Sequence, residues 1–366
     1  MHLKSFKGVG FRNLADFDLE FSPDKNLFYG INGAGKTNLL EAIYYLAIGR
    51  SLRDFAEDEH LIQFNKDLMR LEGRAQTEGG ELLIETALNK DEKRLKINGE
   101  AQQKLSDLIG RLPIVSLSPE DDELCKGGPG TRRRFLDLAI SQYSKTYLAD
   151  LQDYRRILHQ RNRLLFDIRE GRADADSLSV WNQQLVDCGI KIIRKRSEAI
   201  DDLKELAGSR YMRISGGRER LGLRYHLSYK VEPGEQSEQA FHRALSSNLD
   251  FEKRRGMTMF GPHRDDLEIT TGGNRIRSFG SQGQQRTAAI ALKLAEAEML
   301  ANQLREKPLI LLDEIFAELD RDRGNALVEQ LDPGYQVFIA TAKDQETISV
   351  DGFRKFRMDG GRVAAE

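Results

Sequence analysis

The chain is poor in the residues and runs that mark secreted, zinc-binding or membrane-spanning proteins. Its 366 residues include two cysteines, Cys125 and Cys188, which stand in unrelated contexts and form no CxxC spacing. Such sparse cysteine favours reduced thiols in a cytosolic protein over a zinc site or a disulfide framework. No apolar run approaches the roughly 18 residues of a membrane span, and the stretch MHLKSFKGVGFRNL lacks the apolar core of a secretory signal. We therefore expect a cytoplasmic protein.

An excess of either charge sign is also missing. The chain has 56 Lys and Arg against 58 Asp and Glu, for a formal net charge of −2. This balance says little about partners, because a local basic surface is hidden in the total. The length allows two domains, or one large domain with an insertion.

Segments with an α/β pattern lie at both ends of the chain. Residues 1–30 read as strands, and residues 68–97 predict a β-hairpin with a glycine turn. Towards the C-terminus, residues 287–304 predict a helix, and the apolar runs at 309–312 and 336–341 predict buried strands.

The middle of the chain has a helical pattern. Residues 132–166 predict one long helix, and a second run from Leu178 to Leu206 keeps a similar apolar spacing after the polar segment 167–177. Two long helices with a short joint predict an antiparallel pair. We therefore expect one head that is split in sequence by an inserted helical arm. The expected segments are 1–125 (head), 126–254 (arm) and 255–366 (head).

A glycine-rich segment before an apolar helix carries the clearest chemical signal. It matches G-x-x-x-x-G-K-[ST] at every fixed position, in a strand–loop–helix context. Glycines let successive N–H groups turn toward one anion, and the following helix adds its positive end. The predicted nucleotide-binding residues are Gly30, Ile31, Asn32, Gly33, Ala34, Gly35, Lys36, Thr37 and Asn38. We expect Lys36 to reach the β- and γ-phosphates and the Thr37 hydroxyl to coordinate Mg²⁺.

Two carboxylates follow the apolar strand LILL. Asp313 and Glu314 stand at its C-terminal end, which is the edge where parallel α/β sheets bind ligands. We expect Asp313 to hold Mg²⁺ and Glu314 to orient the attacking water or act as its general base. Together with Lys36, they form the predicted catalytic set.

A second anion site is predicted at the start of the 287–304 helix. The segment GSQGQQ at 280–285 places Ser281, Gly283 and Gln284 where a helix N-terminus presents free N–H groups. Because one nucleotide already fills the first site, we expect this one to face a γ-phosphate held by a second subunit. Asp320, in the sequence ELD, fits a loop at that subunit interface. A polar helix cap explains the SQGQQ string equally well.

The order of these motifs resembles the ATP-binding-cassette head, with GSQGQ in place of LSGGQ. The helical insertion resembles the branch that includes structural-maintenance-of-chromosomes (SMC) proteins and Rad fifty-type repair ATPases. More specific strings resemble the RecF family of recombination proteins. They are FRNL at 11–14, PED at 119–121, GGP at 127–129, RRRFLD at 132–137, GPHRDD at 261–266 and SQGQQRT at 281–287.

The resemblance implies an α/β fold: an ABC-type, SMC-like P-loop ATPase head with an inserted helical arm domain. It further implies a bacterial protein that binds ATP, Mg²⁺ and single- and double-stranded DNA, forms a homodimer with ATP and hydrolyses ATP slowly. The family acts in gap repair, helping RecA load on single strands with RecO and RecR. It places Arg12 and Asn13 near the nucleotide. Thr341 stands where transporters have a switch histidine, and segment 118–121 is the candidate for the magnesium-sensing glutamine.

A local basic excess lies in the helical segment. Residues 132–163 contain eight Lys or Arg against three Asp, a balance of +5. Such an excess is typical of sequence-independent contact with a phosphate backbone, although charge runs are usually solvated helix faces. The predicted DNA-binding residues are Arg132, Arg133, Arg155, Arg156, Arg161 and Arg163. Two other functions stay open: the motor subunit of an ABC transporter, and a DNA scaffold that uses ATP only as a switch.

Overall fold

The computed structural model describes residues 1–52, 58–217, 219–317, 327, 329–331, 334–342 and 352–366. In chain order the first elements are β1 (His2–Val9), β2 (Phe17–Glu20), β3 (Lys25–Tyr29), α1 (Lys36–Ile48), β4 (Leu68–Thr77), β5 (Gly80–Asn89), β6 (Lys93–Ile97), β7 (Glu100–Gln102), β8 (Ile114–Leu117), α2 (Glu123–Lys126), α3 (Pro129–Tyr143), α4 (Lys145–Arg169) and α5 (Leu178–Ser215). There follow β9 (Leu221–His226), α6 (Ser237–Ser247), α7 (Leu249–Arg255), β10 (Asp266–Thr271), β11 (Asn274–Arg275), α8 (Ile276–Phe279), α9 (Gln282–Leu304), β12 (Leu309–Asp313), β13 (Val337–Thr341), β14 (Arg354–Asp359) and β15 (Arg362–Ala365).

The chain forms two compact units. The first comprises Met1–Asp121, Arg210–Arg218 and Ala289–Glu366, and the second Asp122–Ser209 and Glu219–Ala288. Residues 255–288, which the sequence assigned to the head, therefore lie in the second unit. The reason is strand pairing: β10 pairs antiparallel with β9, which belongs to the insertion.

Two sheets build the first unit. One has the order β2-β1-β4-β5-β6-β7 with antiparallel neighbours, and the other has the order β15-β14-β3-β13-β12-β8. In the second sheet β14, β3, β13, β12 and β8 run parallel, so their C-terminal ends share one edge. The α/β head predicted from the sequence is confirmed, as are the hairpin of β4 and β5 and the buried strands β12 and β13.

Helix α1 contacts strands of both sheets of the first unit. Eleven of its thirteen residues are buried, which explains why its sequence is apolar on every side. Lys36 and Glu41 are the charged residues among them, and Glu41 is fully buried and accepts bonds from Arg12 Nε at 3.1 Å and Arg12 Nη2 at 2.9 Å. A buried carboxylate needs such a partner, because desolvation without one is costly.

In the second unit, α4 and α5 form the predicted antiparallel pair. Arg161 Nε donates to Asn182 Oδ1 at 2.8 Å near one end, and Cys188 Sγ donates to the Asp150 carbonyl at 3.1 Å near the other. The single helix predicted over 132–166 is wrong. The chain breaks at Ser144, whose side chain accepts from the Tyr147 N–H and caps α4.

Both cysteines are free, as predicted, and both are buried. Burial raises the pKa of the Cys125 thiol to about 12 and that of Cys188 to about 11, so both stay protonated and unreactive at neutral pH. Within the described ranges, none of the helices has the combination of length and hydropathy that crossing a membrane requires.

A fully buried ion pair joins α4 to α7. Arg161 Nη2 donates to Glu252 Oε2 at 2.6 Å, and Arg161 Nη1 donates to Thr258 Oγ1 at 2.7 Å. Both charged side chains have no exposed surface. The assignment of Arg161 to DNA contact is therefore corrected: its guanidinium is enclosed by protein groups, which no phosphate can replace without unfolding the site.

Arg161→Ala is expected to lower the free energy of unfolding of the second unit by about 3–5 kcal/mol, because it leaves the Glu252 carboxylate buried and unpaired. The measurement is denaturant unfolding followed by circular dichroism. Arg156→Ala on the same helix is the control; its ion pair with Asp153 is exposed, and its loss should cost about 1 kcal/mol or less. Equal effects of the two changes would contradict the structural role of Arg161.

Candidate functional site

The loop between β3 and α1 is shaped by glycines. Gly30 has φ 155°, and a Cβ there would lie 2.2 Å from the Met358 carbonyl oxygen. Gly35 has φ 102° and would place a Cβ 2.9 Å from Leu14. Only glycine fits both positions, so the backbone can curve into the anion-binding turn that the sequence predicts.

Lys36 lies inside this turn. Its side chain is 4% exposed, and Nζ donates to the carbonyls of Gly30 at 3.0 Å and Ile31 at 3.1 Å. Glu314 Oε1 lies 3.3 Å from the same nitrogen. The ammonium is thus held at the mouth of the loop by groups that an anion can replace.

Thr37 and Asp313 meet although 276 residues separate them. Thr37 Oγ1 donates to Asp313 Oδ1 at 3.0 Å. Burial raises the pKa of Asp313 to about 6, and the Glu314 and Glu120 carboxylates add to the rise, while the Thr37 hydrogen bond and Lys36 oppose it. A hydroxyl and a carboxylate oxygen are hard donors of the kind that Mg²⁺ prefers, with phosphate oxygens and waters completing its coordination. The pair therefore fits a magnesium ion.

Glu314 is held at the edge of the site by its backbone and its side chain. Its φ is 51°, its N–H donates to the Ala340 carbonyl at 2.9 Å, and Oε2 accepts from the Ala342 N–H at 3.1 Å. The side chain is 25% exposed, so water reaches its carboxylate. This residue combines a fixed position with solvent access, as a group that orients water must.

The FRNL segment supports the loop in two ways. Arg12 binds Glu41 and so braces α1, whereas Asn13 accepts from Asn38 Nδ2 at 2.7 Å and donates to the Gly33 carbonyl at 3.4 Å. Asn13 faces a cleft of about 470 Å³. That cleft is lined by Asn13, Asn32, Gly33, Gly35, Lys36, Thr37, Asn38, Glu314 and Ala342.

Glu120 is a residue of this edge that the sequence reasoning missed. It follows β8, the neighbour of β12, and its charge acts on Asp313. The segment 118–121 was a candidate magnesium sensor, and the signal for Glu120 was available: a carboxylate three residues after the end of a buried strand, close to the pattern at Asp313 and Glu314. Thr341 ends β13 in the same sheet and is buried.

In the second unit, Ser281 caps α9. Its Oγ accepts from the Gln284 N–H at 3.2 Å, and its own N–H donates to Gln284 Oε1 at 2.8 Å. Gln284 Nε2 also donates to Glu219 Oε2 at 2.8 Å. Phe279, just before this cap, is 75% exposed. The polar cap that the sequence left open is present; Asp320 lies outside the described residues.

The six predicted DNA-binding arginines separate by burial. Arg132 is buried and binds both Asp266 oxygens, at 2.7 and 3.0 Å, so its assignment to DNA contact is corrected like that of Arg161. Arg133 is half-buried and donates to the Asp265 carbonyl. Arg155, Arg156 and Arg163 are exposed.

A basic turn next to α4 was also missed. Helix α7 carries Lys253, Arg254 and Arg255 in its last turn and packs on α4. Arg169, at the end of α4, lies over the ring of the exposed Phe166 at 4.6 Å. The run EKRRG was the available signal. Among the described residues, no group of three or more His, Cys, Asp or Glu side chains is placed to hold a metal ion by itself.

Asp313→Asn is expected to stabilise the nucleotide-free protein at pH 7.5 by up to about 3 kcal/mol, at 1.36 kcal/mol per pKa unit. The folded-state pKa, about 6, lies above the ordinary value of 3.8. The folded protein therefore binds more protons between these values, and its stability falls as the pH rises through this window. Denaturant unfolding at pH 7.5 and below pH 4 measures the difference, which should vanish at the lower pH. Asp359→Asn, an exposed carboxylate of the same unit, is the control; a pH-independent effect of Asp313→Asn would contradict the raised pKa.

Comparison with known proteins assigns the family. The model of the RecF/RecN/SMC N-terminal domain matches residues 2–363. DNA replication and repair protein RecF of Halothermothrix orenii is 41% identical over 361 residues, covering 96% of both chains, and that of Halalkalibacterium halodurans is 39% identical over 346 residues, covering 93% of this chain and 92% of the relative.

Solved structures support the same family assignment. One described as the recombination mediator protein RecF-ATP in the RecFOR pathway matches with a TM-score of 0.92 and 34% identity, covering 100% of this chain and 97% of the other. An Smc head bound to the C-terminal winged-helix domain of ScpA matches with a TM-score of 0.59 and 16% identity, covering 100% of this chain and 98% of the other, which is a likeness of fold alone. The chain belongs to the RecF family within the RecF/RecN/SMC group of ATPase heads.

Proposed function

We propose that this protein is an ATP-dependent DNA-binding clamp of recombinational gap repair and replication-fork maintenance. It dimerises on ATP, hydrolyses it slowly, and helps to load RecA on single-stranded DNA with RecO and RecR. The observation that carries the proposal is the 3.0 Å contact between Thr37 and Asp313, with Glu314 next in sequence and 3.3 Å from Lys36. The binding and cleavage groups for a triphosphate thus converge on one edge. Solved RecF structures named for ATP, at 34% identity, support the choice of nucleotide.

Residues of the loop divide the binding task. Backbone N–H groups of the loop and of the start of α1 would contact the phosphates, and Lys36 would exchange its carbonyl partners for phosphate oxygens. Thr37 and Asp313 would hold Mg²⁺, whose charge would offset that of the phosphate oxygens. Asn13 and Asn38 line the cleft beside the loop.

Glu314 is placed to orient the attacking water or to accept its proton. Its carboxylate accepts a proton or a hydrogen bond from water while the Ala342 N–H keeps it oriented. In the free protein the carboxylate also pairs with Lys36, so the lysine must turn to the phosphates before Glu314 is available. This coupling makes activation depend on nucleotide. A scaffold that uses ATP only as a switch would not need the proton-accepting oxygen.

Dimerisation follows from the second anion site. The N-terminus of α9 presents N–H groups beside Ser281, and the exposed Phe279 ring adds apolar surface that a partner can cover. A γ-phosphate held by one subunit would complete this site on another. Only a dimer would contact each ATP from both subunits, so ATP would stabilise the dimer over the monomer. Association would then depend on the ATP concentration by mass action.

Three variants separate the steps in analytical ultracentrifugation with ATP and Mg²⁺. Lys36→Met should lose ATP binding and dimers, because the loop loses its cation. Ser281→Arg should bind ATP as a monomer, because the bulk fills the second anion site. Glu314→Gln should accumulate an ATP-bound dimer with hydrolysis reduced by 10²-fold or more, because the amide keeps the Ala342 contact but accepts no proton.

Lys355→Met, a change of the same kind outside the loop, is the control and should behave as the unmodified protein. Normal turnover by Glu314→Gln would remove the assigned role of Glu314 and favour another base. A protein that stays monomeric at saturating ATP would refute the clamp.

DNA contact is proposed for the exposed arginines of α4. Arg155, Arg156 and Arg163 keep solvent-accessible guanidinium groups, and the basic turn of α7 extends this surface. Exposed arginines without a base-reading motif favour contact with the phosphate backbone over recognition of a base sequence.

The triple change Arg155→Gln, Arg156→Gln and Arg163→Gln is expected to weaken duplex and single-stranded DNA binding alike. Each lost phosphate contact should reduce the slope of log K against log salt by roughly one. Fluorescence anisotropy at several salt concentrations measures both. Lys7→Gln, Arg70→Gln and Arg74→Gln, three exposed cations of the antiparallel sheet, remove the same charge as a control. An unchanged salt slope in the first variant would exclude α4 from the DNA surface.

A further inference from the structure

A cavity of about 260 Å³ in the second unit is lined by four arginines and one aspartate. It lies between α3, α4, α5 and the turn at 261–263, and has no part in the nucleotide site described above. Its lining residues are Gly130, Arg133, Arg134, Asp137, Leu151, Tyr154, Arg155, Leu158, Ile192, Arg196, Pro262 and His263. The arrangement combines a cationic rim with an apolar floor.

The single carboxylate of this cavity is already engaged. Asp137 Oδ1 accepts from Arg196 Nη2 at 2.8 Å and from the Tyr147 hydroxyl at 2.6 Å, and its Oδ2 lies 3.5 Å from Arg155 Nη2. Asp137 is therefore shared between Arg196 and Arg155. The nearby aspartates of the GPHRDD motif are engaged elsewhere: Asp266 binds Arg132, and Asp265 accepts from Tyr225 and Ser228.

Arg133 is the arginine of this cavity that most directly favours a bound anion. It is half-buried, and Nη1 donates to a neutral acceptor, the Asp265 carbonyl, at 2.7 Å. Burial, followed by repulsion from Arg196, lowers the pKa of Arg133 from its usual value. A positive group that is disfavoured by its neighbours is stabilised by an incoming anion.

His263 contributes an uncharged surface to the wall of the cavity. Tyr154 donates its hydroxyl to His263 Nδ1 at 2.7 Å, and since the Thr258 carbonyl can only accept, His263 Nε2 donates to it at 3.2 Å. Burial lowers the pKa of His263 to about 4, so the ring is neutral at physiological pH. With Leu151, Leu158 and Pro262 it forms a wall suited to a sugar or a base.

We propose that this cavity binds the phosphate monoester of a single nucleotide unit, with the phosphate on Arg133, Arg134 and Arg155 and the sugar over Leu158 and Pro262. Its volume is just below that of pockets for drug-sized ligands, which suits one nucleotide unit better than a longer segment. The monoester belongs either to the end of a DNA strand or to a free mononucleotide. The strand-end source rests on the DNA binding proposed above.

The test compares one oligonucleotide duplex with a 5′-phosphate, a 3′-phosphate or only hydroxyl ends, labelled internally and titrated by fluorescence anisotropy. The unmodified protein should bind at least one phosphorylated form about tenfold or more tightly than the hydroxyl form, the size of a charge-assisted bond. Arg134→Gln with Arg155→Gln should bring this ratio to about one. Both side chains are exposed, so the fold should persist, which thermal unfolding checks.

Arg156→Gln with Arg163→Gln is the matched control, with equal charge removed from α4 outside the cavity lining. It should weaken the phosphorylated and hydroxyl forms alike and keep their ratio. Leu158→Trp, which narrows the cavity without a charge change, should reduce the ratio as the first variant does. A ratio lost equally in the control would overturn the assignment to this cavity.

The remaining measurements distinguish a DNA strand end from a free mononucleotide as the ligand. They also separate failure of the cavity proposal from failure of the proposed DNA binding. If all duplexes bind equally well and deoxyadenosine monophosphate does not bind in calorimetry, the cavity proposal fails while DNA binding stands. If no duplex binds, the proposed DNA binding fails. Calorimetric binding of the mononucleotide that Arg134→Gln with Arg155→Gln abolishes would then sustain the cavity with a free nucleotide as its ligand, and no such binding would overturn it.

Discussion

The contact from Thr37 to Asp313 depends on the parallel order of β3, β13, β12 and β8, and the rest of the nucleotide site depends on this contact. Parallel strands end at one edge, so residues that follow them meet although they are far apart in sequence. The hydroxyl comes from the first turn of α1, which follows β3, and the carboxylates come from the end of β12 and from the segment after β8. A shift of β12 by one residue would turn the Asp313 side chain to the opposite face of the sheet, because successive side chains of a strand face opposite sides.

Motifs of a few residues were enough to predict this edge, since their geometry is local. A glycine loop, a helix start and a carboxylate after an apolar strand each carry their conformation within about ten residues, and only the pairing of the strands had to be inferred. The same rule would have found Glu120. The α/β head with a helical insertion was predicted for the same reason, from apolar patterns that persist over whole elements.

The arginines of the insertion show where such reasoning stops. Arg155, Arg156 and Arg161 stand within seven positions of one helix, yet they have three different environments. Arg161 is enclosed because Glu252 is brought to it by α7, Arg155 borders a cavity, and Arg156 pairs with Asp153 at the surface. Helical spacing assigns each to a face, but the partners come from distant segments. The extent of the second unit was likewise decided by the pairing of β10 with β9, which no local pattern displays.

Asp313 and Arg133 are charged groups that their surroundings disfavour. At the edge of the parallel sheet, the buried Asp313 lies near Glu314 and Glu120, so its carboxylate is disfavoured until a cation arrives. In the second unit, burial and repulsion from Arg196 disfavour the charge of Arg133, so the proposed anion would stabilise it. A fold that paired these groups internally would be more stable and would bind less, because every internal partner must be displaced by the ligand. The Arg161–Glu252 and Arg132–Asp266 pairs show that this chain completes buried ion pairs elsewhere. The charges of Asp313 and Arg133 are therefore the ones that a ligand would stabilise, and this links burial in the fold to binding.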